Sequence, residues 1–194
     1  MKPVIIVFGR APRLGTVKRR LARGIGNRAA LRFHQATLTG LLWRLSRDRR
    51  IETVMAVTPD RAFVRLPPGV RRLEQGRGDI GQRMHAALAR YPRRPAAVIG
   101  SDIPAATVAD VVAGFRALGS ADAAFGPATD GGYWLVALSP RRPARPFAGA
   151  RWSTRHALAD TLRNFTGRRV ALLRPLSDVD TIEAWRAWRQ AAVG

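Results

Sequence analysis

The chain has 194 residues, 46% of them apolar, and a formal net charge of +21 at pH 7, which is enough apolar content for the one packed domain its length suggests. It has no cysteine, which excludes disulfides, Cys–zinc sites and a thiol nucleophile, and no apolar run long enough for a signal peptide or a membrane span. The charge points toward nucleic acid, but Lys2 and Lys18 are the only lysines and the arginines are scattered from Arg10 to Arg189 without forming a tract; the expectation is a cytoplasmic protein with no specific nucleic-acid partner.

Val4 to Phe8 is a short, unbroken apolar run rich in β-branched residues. It reads as a strand buried on both faces, as in a parallel sheet. A loop and a basic helix start follow it. Asn27 is placed to cap a helix running to about Ser46, with Leu31, Leu38, Leu41, Leu42 and Leu45 at helical spacing. Ile51–Thr58 and Val70–Gln75 are the next predicted strands, then a helix over Gln82–Arg90 and a fourth strand over Ala96–Gly100. Pro104 is placed to start a helix reaching about Leu118. Ala121–Gly126 and Tyr133–Leu138 are predicted strands around a Thr129-Asp130-Gly131-Gly132 turn, and 139–150 is a Pro- and Arg-rich surface loop. Ser153 is expected to cap a helix to about Phe165, with a last strand over Arg169–Leu173 and a last helix over Thr181–Ala192. Strands alternating with helices predict a three-layer α/β/α sandwich around a mostly parallel sheet, with ligands bound beyond the carboxyl ends of the strands.

Those carboxyl ends carry the candidate chemistry. After the first strand, Gly9, Pro12 and Gly15 open a loop into which Arg10, Arg13, Lys18, Arg19 and Arg20 bring positive charge. Glycines that permit close backbone approach, free N–H groups and a helix N-terminus make a phosphate-binding loop; a basic surface turn would have the same composition. There is no Walker A lysine in register. Asp102, in Gly100-Ser101-Asp102-Ile103-Pro104, is placed to ligate Mg2+ or Mn2+, or to cap the helix that follows. Asp130 is either a plain Asp-Gly-Gly turn residue or a group acting on metal or acceptor, with the glycines letting substrate approach the backbone. Asp178 and Asp180 alternate onto one side of an extended segment, where Asp180 or Thr181 could also cap the last helix. Gly76-Arg77-Gly78-Asp79-Ile80-Gly81 satisfies the dinucleotide-binding pattern, but the strand before it is too polar for a core strand and Asp79 would oppose a pyrophosphate. His34, His85 and His156 read as helix-surface residues, and Trp185 with Trp188 as packing.

Taken in order, these stretches resemble the bacterial DUF2064 family, within the GT-A nucleotide-diphospho-sugar transferase superfamily, which includes glycosyltransferases linked to arsenosugar biosynthesis. The resemblance is carried by Ala11-Pro12-Arg13-Leu14-Gly15-Thr16-Val17-Lys18-Arg19-Arg20-Leu21, by Gln75 to Met84, by Gly100 to Pro104, by Gly126 to Tyr133, by Trp152-Ser153-Thr154 and by Asp178-Val179-Asp180-Thr181. Arg10, Leu14 and Arg19 depart from the family's usual Lys, Pro and Thr, keeping or raising the positive charge of the loop. The resemblance implies a GT-A fold whose opening loop (Gly9, Arg10, Arg13, Gly15, Lys18, Arg20) binds nucleotide, with Gln75 and Gly76 in the sugar-nucleotide pocket. It implies Asp102 and Asp180 as the acids holding Mg2+ or Mn2+. The implied activity is metal-dependent glycosyl transfer from a nucleoside-diphosphate sugar to a small-molecule acceptor, with Asp130 orienting or deprotonating that acceptor. The alternatives are nucleotidyl transfer from an NTP to a phosphorylated acceptor, and nucleotide or nucleic-acid binding without catalysis.

Overall fold

Val4–Arg10 forms β1 at the middle of the sheet, and every residue from Val4 to Gly9 is buried, as its unbroken apolar run requires. The structure, a computed structural model, describes residues 1–191. The other strands are β2 (Glu52–Thr58), β3 (Arg71–Glu74), β4 (Ala96–Gly100), β5 (Ala123–Pro127), β6 (Tyr133–Leu138) and β7 (Val170–Leu172). The helices are α1 (Arg19–Ile25), α2 (Asn27–Ser46), α3 (Ile80–Ala89), α4 (Val108–Ala117), α5 (Ala157–Arg163) and α6 (Ile182–Ala191). The sheet runs in the order β3-β2-β1-β4-β6-β5-β7. Among the described strands only β6 runs against the rest, pairing antiparallel with both β4 and β5. The expected mostly parallel mixed sheet is the one observed.

Two cores, one on each face, make the three layers. In β1, Ile5 and Val7 point into one and Val4, Ile6 and Phe8 into the other, the period of two that a pleated strand imposes. On the first face Leu38, Leu41, Leu42 and Leu45 of α2 pack with Val111 of α4. On the second, Met84, Ala87 and Leu88 of α3 pack with Phe165 and with Leu158 and Leu162 of α5. Burying each of the Leu, Val, Met and Phe side chains contributes about 1.5–3 kcal/mol of gross stabilisation. No helix among the described residues is long and apolar enough to cross a membrane.

Several helix starts differ from expectation. Asn27 does not cap α2. Gly26 lies at the N-cap, its φ of 81° letting it end α1 and begin α2 in one step: its N–H donates to Ala22 O and its carbonyl accepts from Ala30 N. The predicted helix at Pro104 starts later, at Val108, where Thr107 and Asp110 form a reciprocal capping box. Asp102 is thereby released from the capping alternative. Asp79 and Gln82 form the same box on α3, which begins at Ile80 rather than Gln82. Ser153 sits in left-handed backbone (φ 59°) short of α5 and makes no cap. The expected end of α6 at Ala192 lies outside the described residues.

Candidate active site

The chain leaves β1 through α1 and α2 to reach β2 on one side, and crosses from β3 through α3 to reach β4 on the other. The two connections diverge between the carboxyl ends of β1 and β4, which opens the crevice where sheets of this kind take ligands. From β1, Arg10 enters the crevice; from the loop after it, Thr16, Val17 and Lys18; from α1, Arg19 and Arg20; from α2, His34; from the end of β4, Asp102; and from the segment before α6, Asp180. Together they line a cavity of about 330 Å³.

Charge is concentrated at its floor. Lys18 Nζ donates to Asp180 Oδ1 at 2.6 Å and lies 3.3 Å from Asp102 Oδ1. Its side chain is only 2% exposed, whereas each carboxylate side chain is 42% exposed. His34 is buried on α2. Its Nε2 donates to the Arg10 carbonyl at 2.9 Å, because a carbonyl only accepts, and its Nδ1 lies 3.4 Å from Asp102 Oδ1. Burial alone would push the Asp102 carboxyl up. The His34 ring edge and the Lys18 ammonium outweigh it and hold the group at about 2. Asp102 Oδ1 is nevertheless buried with no hydrogen bond among the described residues, so the carboxylate has acceptor capacity to spare. Asp178 goes the other way: burial, then the negative charges of Asp180 and Asp130, push its carboxyl up to about 6.

Two carboxylates converging on one cationic point are a hard oxygen donor set suited to Mg2+ or Mn2+. The described residues contain no group of three or more metal-ligating side chains.

Of the expected nucleotide-binding residues, Arg10, Lys18 and Arg20 are brought to the cavity together with both expected metal acids. Gly9 lies in β1 against β4, where an added Cβ would sit 2.9 Å from Ser101 Oγ. Arg13 is exposed outside the cavity, its carbonyl accepting from both the amide and the hydroxyl of Thr16. Gly15, at φ 74°, turns this same loop. Gln75 is a buried brace: its Nε2 donates to Gly9 O and Ala56 O, and its Oε1 accepts from Arg83 Nη1. Those bonds tie β1, β2 and α3 together and leave its amide little to offer a ligand. Gly76 donates its N–H to Asp60 Oδ1. The dinucleotide pattern there lies beside β3, which is the sheet's edge rather than its centre.

Asp130 accepts from Gly132 N at 2.9 Å in the turn between β5 and β6. It lines a second cavity of about 680 Å³, shared with Arg20, Asp178 and Asp180, and a smaller one with Tyr133 and Trp152. The close approach expected at the glycines is made by the chain itself: a Cβ on Gly131 would overlap the Arg155 carbonyl.

Two residues read differently in sequence. His34, expected on a helix surface, stands four residues before Leu38 on the stripe continued by Leu41, Leu42 and Leu45, and that stripe is the buried face of α2. The signal was its phase, since i and i+4 share a helix face. Asp178, expected only to share a side with Asp180, joins Asp130 and Asp180 around the larger cavity. His85 is exposed as expected, and Trp188 packs edge-on against Phe33.

The chain belongs to the DUF2064 family, described as uncharacterized proteins conserved in bacteria, whose pattern it matches over residues 41–154. Among solved structures it resembles a candidate nucleotide-diphospho-sugar transferase from Desulfovibrio desulfuricans G20, with 26% identity, a TM-score of 0.92, and coverage of 98% of this chain and 88% of that one. It shares the fold of Rv0371c from Mycobacterium tuberculosis H37Rv, solved in complex with manganese (17% identity, TM-score 0.57, 98% of this chain and 100% of that one). It also shares the fold of the 2-C-methyl-D-erythritol 4-phosphate cytidylyltransferase of Thermus thermophilus (16% identity, TM-score 0.58, all of both chains). No curated protein matches it by sequence. The fold is thus that of the nucleotide-diphospho-sugar transferases and their cytidylyltransferase relatives.

Proposed function

We propose that the protein is a divalent-metal-dependent glycosyltransferase that uses a nucleoside-diphosphate sugar as donor. The observation that carries this reading is the convergence of Asp102 and Asp180 with Lys18, Arg10 and Arg20 on one cavity at the carboxyl ends of β1 and β4. The arginines bind and neutralise the diphosphate, and their fixed positive charge opposes the negative charge that grows as the sugar departs. Asp102 and Asp180 would hold Mg2+ or Mn2+, and the ion would supply Lewis-acid charge to stabilise the leaving diphosphate. Asp130, on the adjoining cavity, orients the acceptor hydroxyl or takes its proton. The manganese in Rv0371c and the transferase description of the Desulfovibrio relative support the reading.

The competing reading is nucleotidyl transfer to a phosphorylated acceptor, favoured by the fold shared with the Thermus cytidylyltransferase. Thermal shifts with nucleoside diphosphates, nucleotide sugars and nucleoside triphosphates, each with and without Mn2+, separate the two. Ligand stabilisation follows mass action. Glycosyl transfer predicts Mn2+-dependent stabilisation by one diphosphate and its sugar, and release of that diphosphate on turnover. Selective stabilisation by a triphosphate, with pyrophosphate released, would replace it with nucleotidyl transfer.

A further inference from the structure

Lys18 has two claims on it that cannot be met at once. In the nucleotide-binding reading its ammonium is a ligand for phosphate beside Arg10, Arg19 and Arg20, yet that ammonium is buried between the two carboxylates that would hold the metal, 2.6 Å from Asp180 Oδ1 and 3.3 Å from Asp102 Oδ1. Two carboxylates sharing one ammonium leave a net negative charge at a single point. A divalent ion entering there meets the ammonium as a like charge at contact distance, which in a partly buried site is strongly unfavourable. The backbone prepares an exchange. Lys18 is held at φ 49°, ψ 43° as the residue before α1, and its carbonyl accepts from Ala22 N at 2.8 Å. The main chain is thereby anchored and only the flexible four-carbon stem has to turn. Arg10, Arg19 and Arg20 already line the same cavity and mark where phosphate would lie.

Resting on the nucleotide-binding reading above, we propose that Lys18 is the resident cation of the Asp102–Asp180 pair, and that it passes to the nucleotide phosphates as the divalent ion takes its place. Metal and nucleotide then bind cooperatively, and each binds weakly alone. By linkage the coupling is reciprocal. The exchange conserves the pairing of every charge: the carboxylates trade an ammonium for a metal ion, and the ammonium trades carboxylates for phosphate.

Lys18 and Lys2 are the only lysines, so the exchange can be watched directly. In the full-length protein labelled with 13C-lysine, the Lys18 side-chain signal is assigned by its loss in Lys18→Arg. It should stay in place with Mg2+ alone or any one of ADP, CDP, GDP, UDP and dTDP alone, and move when Mg2+ and the bound diphosphate are both present. In parallel, the free-ion EPR signal measures Mn2+ binding without nucleotide. Lys18→Met should bind Mn2+ roughly tenfold or more tightly than wild type, and Lys18→Arg should stay near wild type. A Lys18 signal that does not move with Mg2+ and diphosphate bound, or a Lys18→Met protein that binds Mn2+ no more tightly, overturns the proposal. If Lys18→Met does not fold, the wild-type lysine signal decides. If no diphosphate binds under any condition, the transferase reading fails, and the Mn2+ affinity of Lys18→Met alone decides whether Lys18 holds the cation place.

Discussion

Asp160 and Asp102 are both inward-facing acids in a protein with thirteen acidic residues, and the chain treats them oppositely. On α5, the Asp160 side chain is 2% exposed and saturated with donors. Its Oδ2 accepts from Arg151 N and Nε at 3.1 and 2.7 Å, and its Oδ1 from Arg151 Nη2 at 3.0 Å, with Arg163 Nη1 at 3.1 Å. At the end of β4, Asp102 has its nearest cationic or imidazole nitrogens at 3.3 and 3.4 Å, and its buried oxygen completes no hydrogen bond among the described residues. A saturated carboxylate is a fastener, here joining the segment around Arg151 to α5. An unsaturated one beside a cavity is costly to leave so unless something else completes it.

The contrast breaks most visibly at Asp102. Asp102→Asn should weaken Mn2+-dependent nucleotide binding by about a hundredfold or more while the melting temperature stays within a few degrees of wild type; thermal shift with and without Mn2+ and diphosphate reads both. Asp160→Asn should do the reverse, lowering the melting temperature by several degrees and leaving nucleotide affinity unchanged. Its pH dependence follows from sign. The Arg151 hydrogen bonds hold the folded Asp160 carboxyl below its ordinary 3.8, so its ionised form stabilises the fold above that value and the gain is lost as pH falls. Melting curves of wild type and Asp160→Asn should therefore lie far apart at pH 7 and approach one another below pH 3.8. Asp110, held at about 2 first by Arg174, remains in both proteins and keeps an acid limb in each.

His34 tests the same difference from the side of the partner. His34→Ala removes the donor to the Arg10 carbonyl and the ring edge beside Asp102. It should cost about 2 kcal/mol of stability in chemical denaturation and also weaken Mn2+ binding, which a purely structural residue would leave alone. The smallest effect belongs to Asp178. It is crowded by Asp180 and Asp130, so Asp178→Asn should raise the melting temperature at neutral pH by ~2 °C.

Much of the fold was legible locally. The runs at Val4–Phe8, Ala96–Gly100 and Tyr133–Leu138 are apolar without alternation because both faces of those strands are covered, and that is visible in any window of the chain. The leucine stripe of α2 is equally local. Helix starts were less so: Pro104, Asn27 and Ser153 are each good start signals, but Thr107 with Asp110, and Gly26 between two abutting helices, satisfy the backbone better where the chain actually turns.

The layered α/β architecture, the family and the cationic loop after β1 follow from residues that are neighbours along the chain, and so are readable without the fold. What that loop touches depends on folding. Lys18 and Asp180 are 162 residues apart, and they meet because β1 and β4 lie side by side in the sheet while the segment before α6 returns across their ends. Folding also decided that His34 stands behind Asp102, that Gln75 is a brace, and that Gly131 makes room for Arg155. Hydrophobic periodicity records which face of an element is buried, but a charge takes its meaning from the partner that folding brings to it.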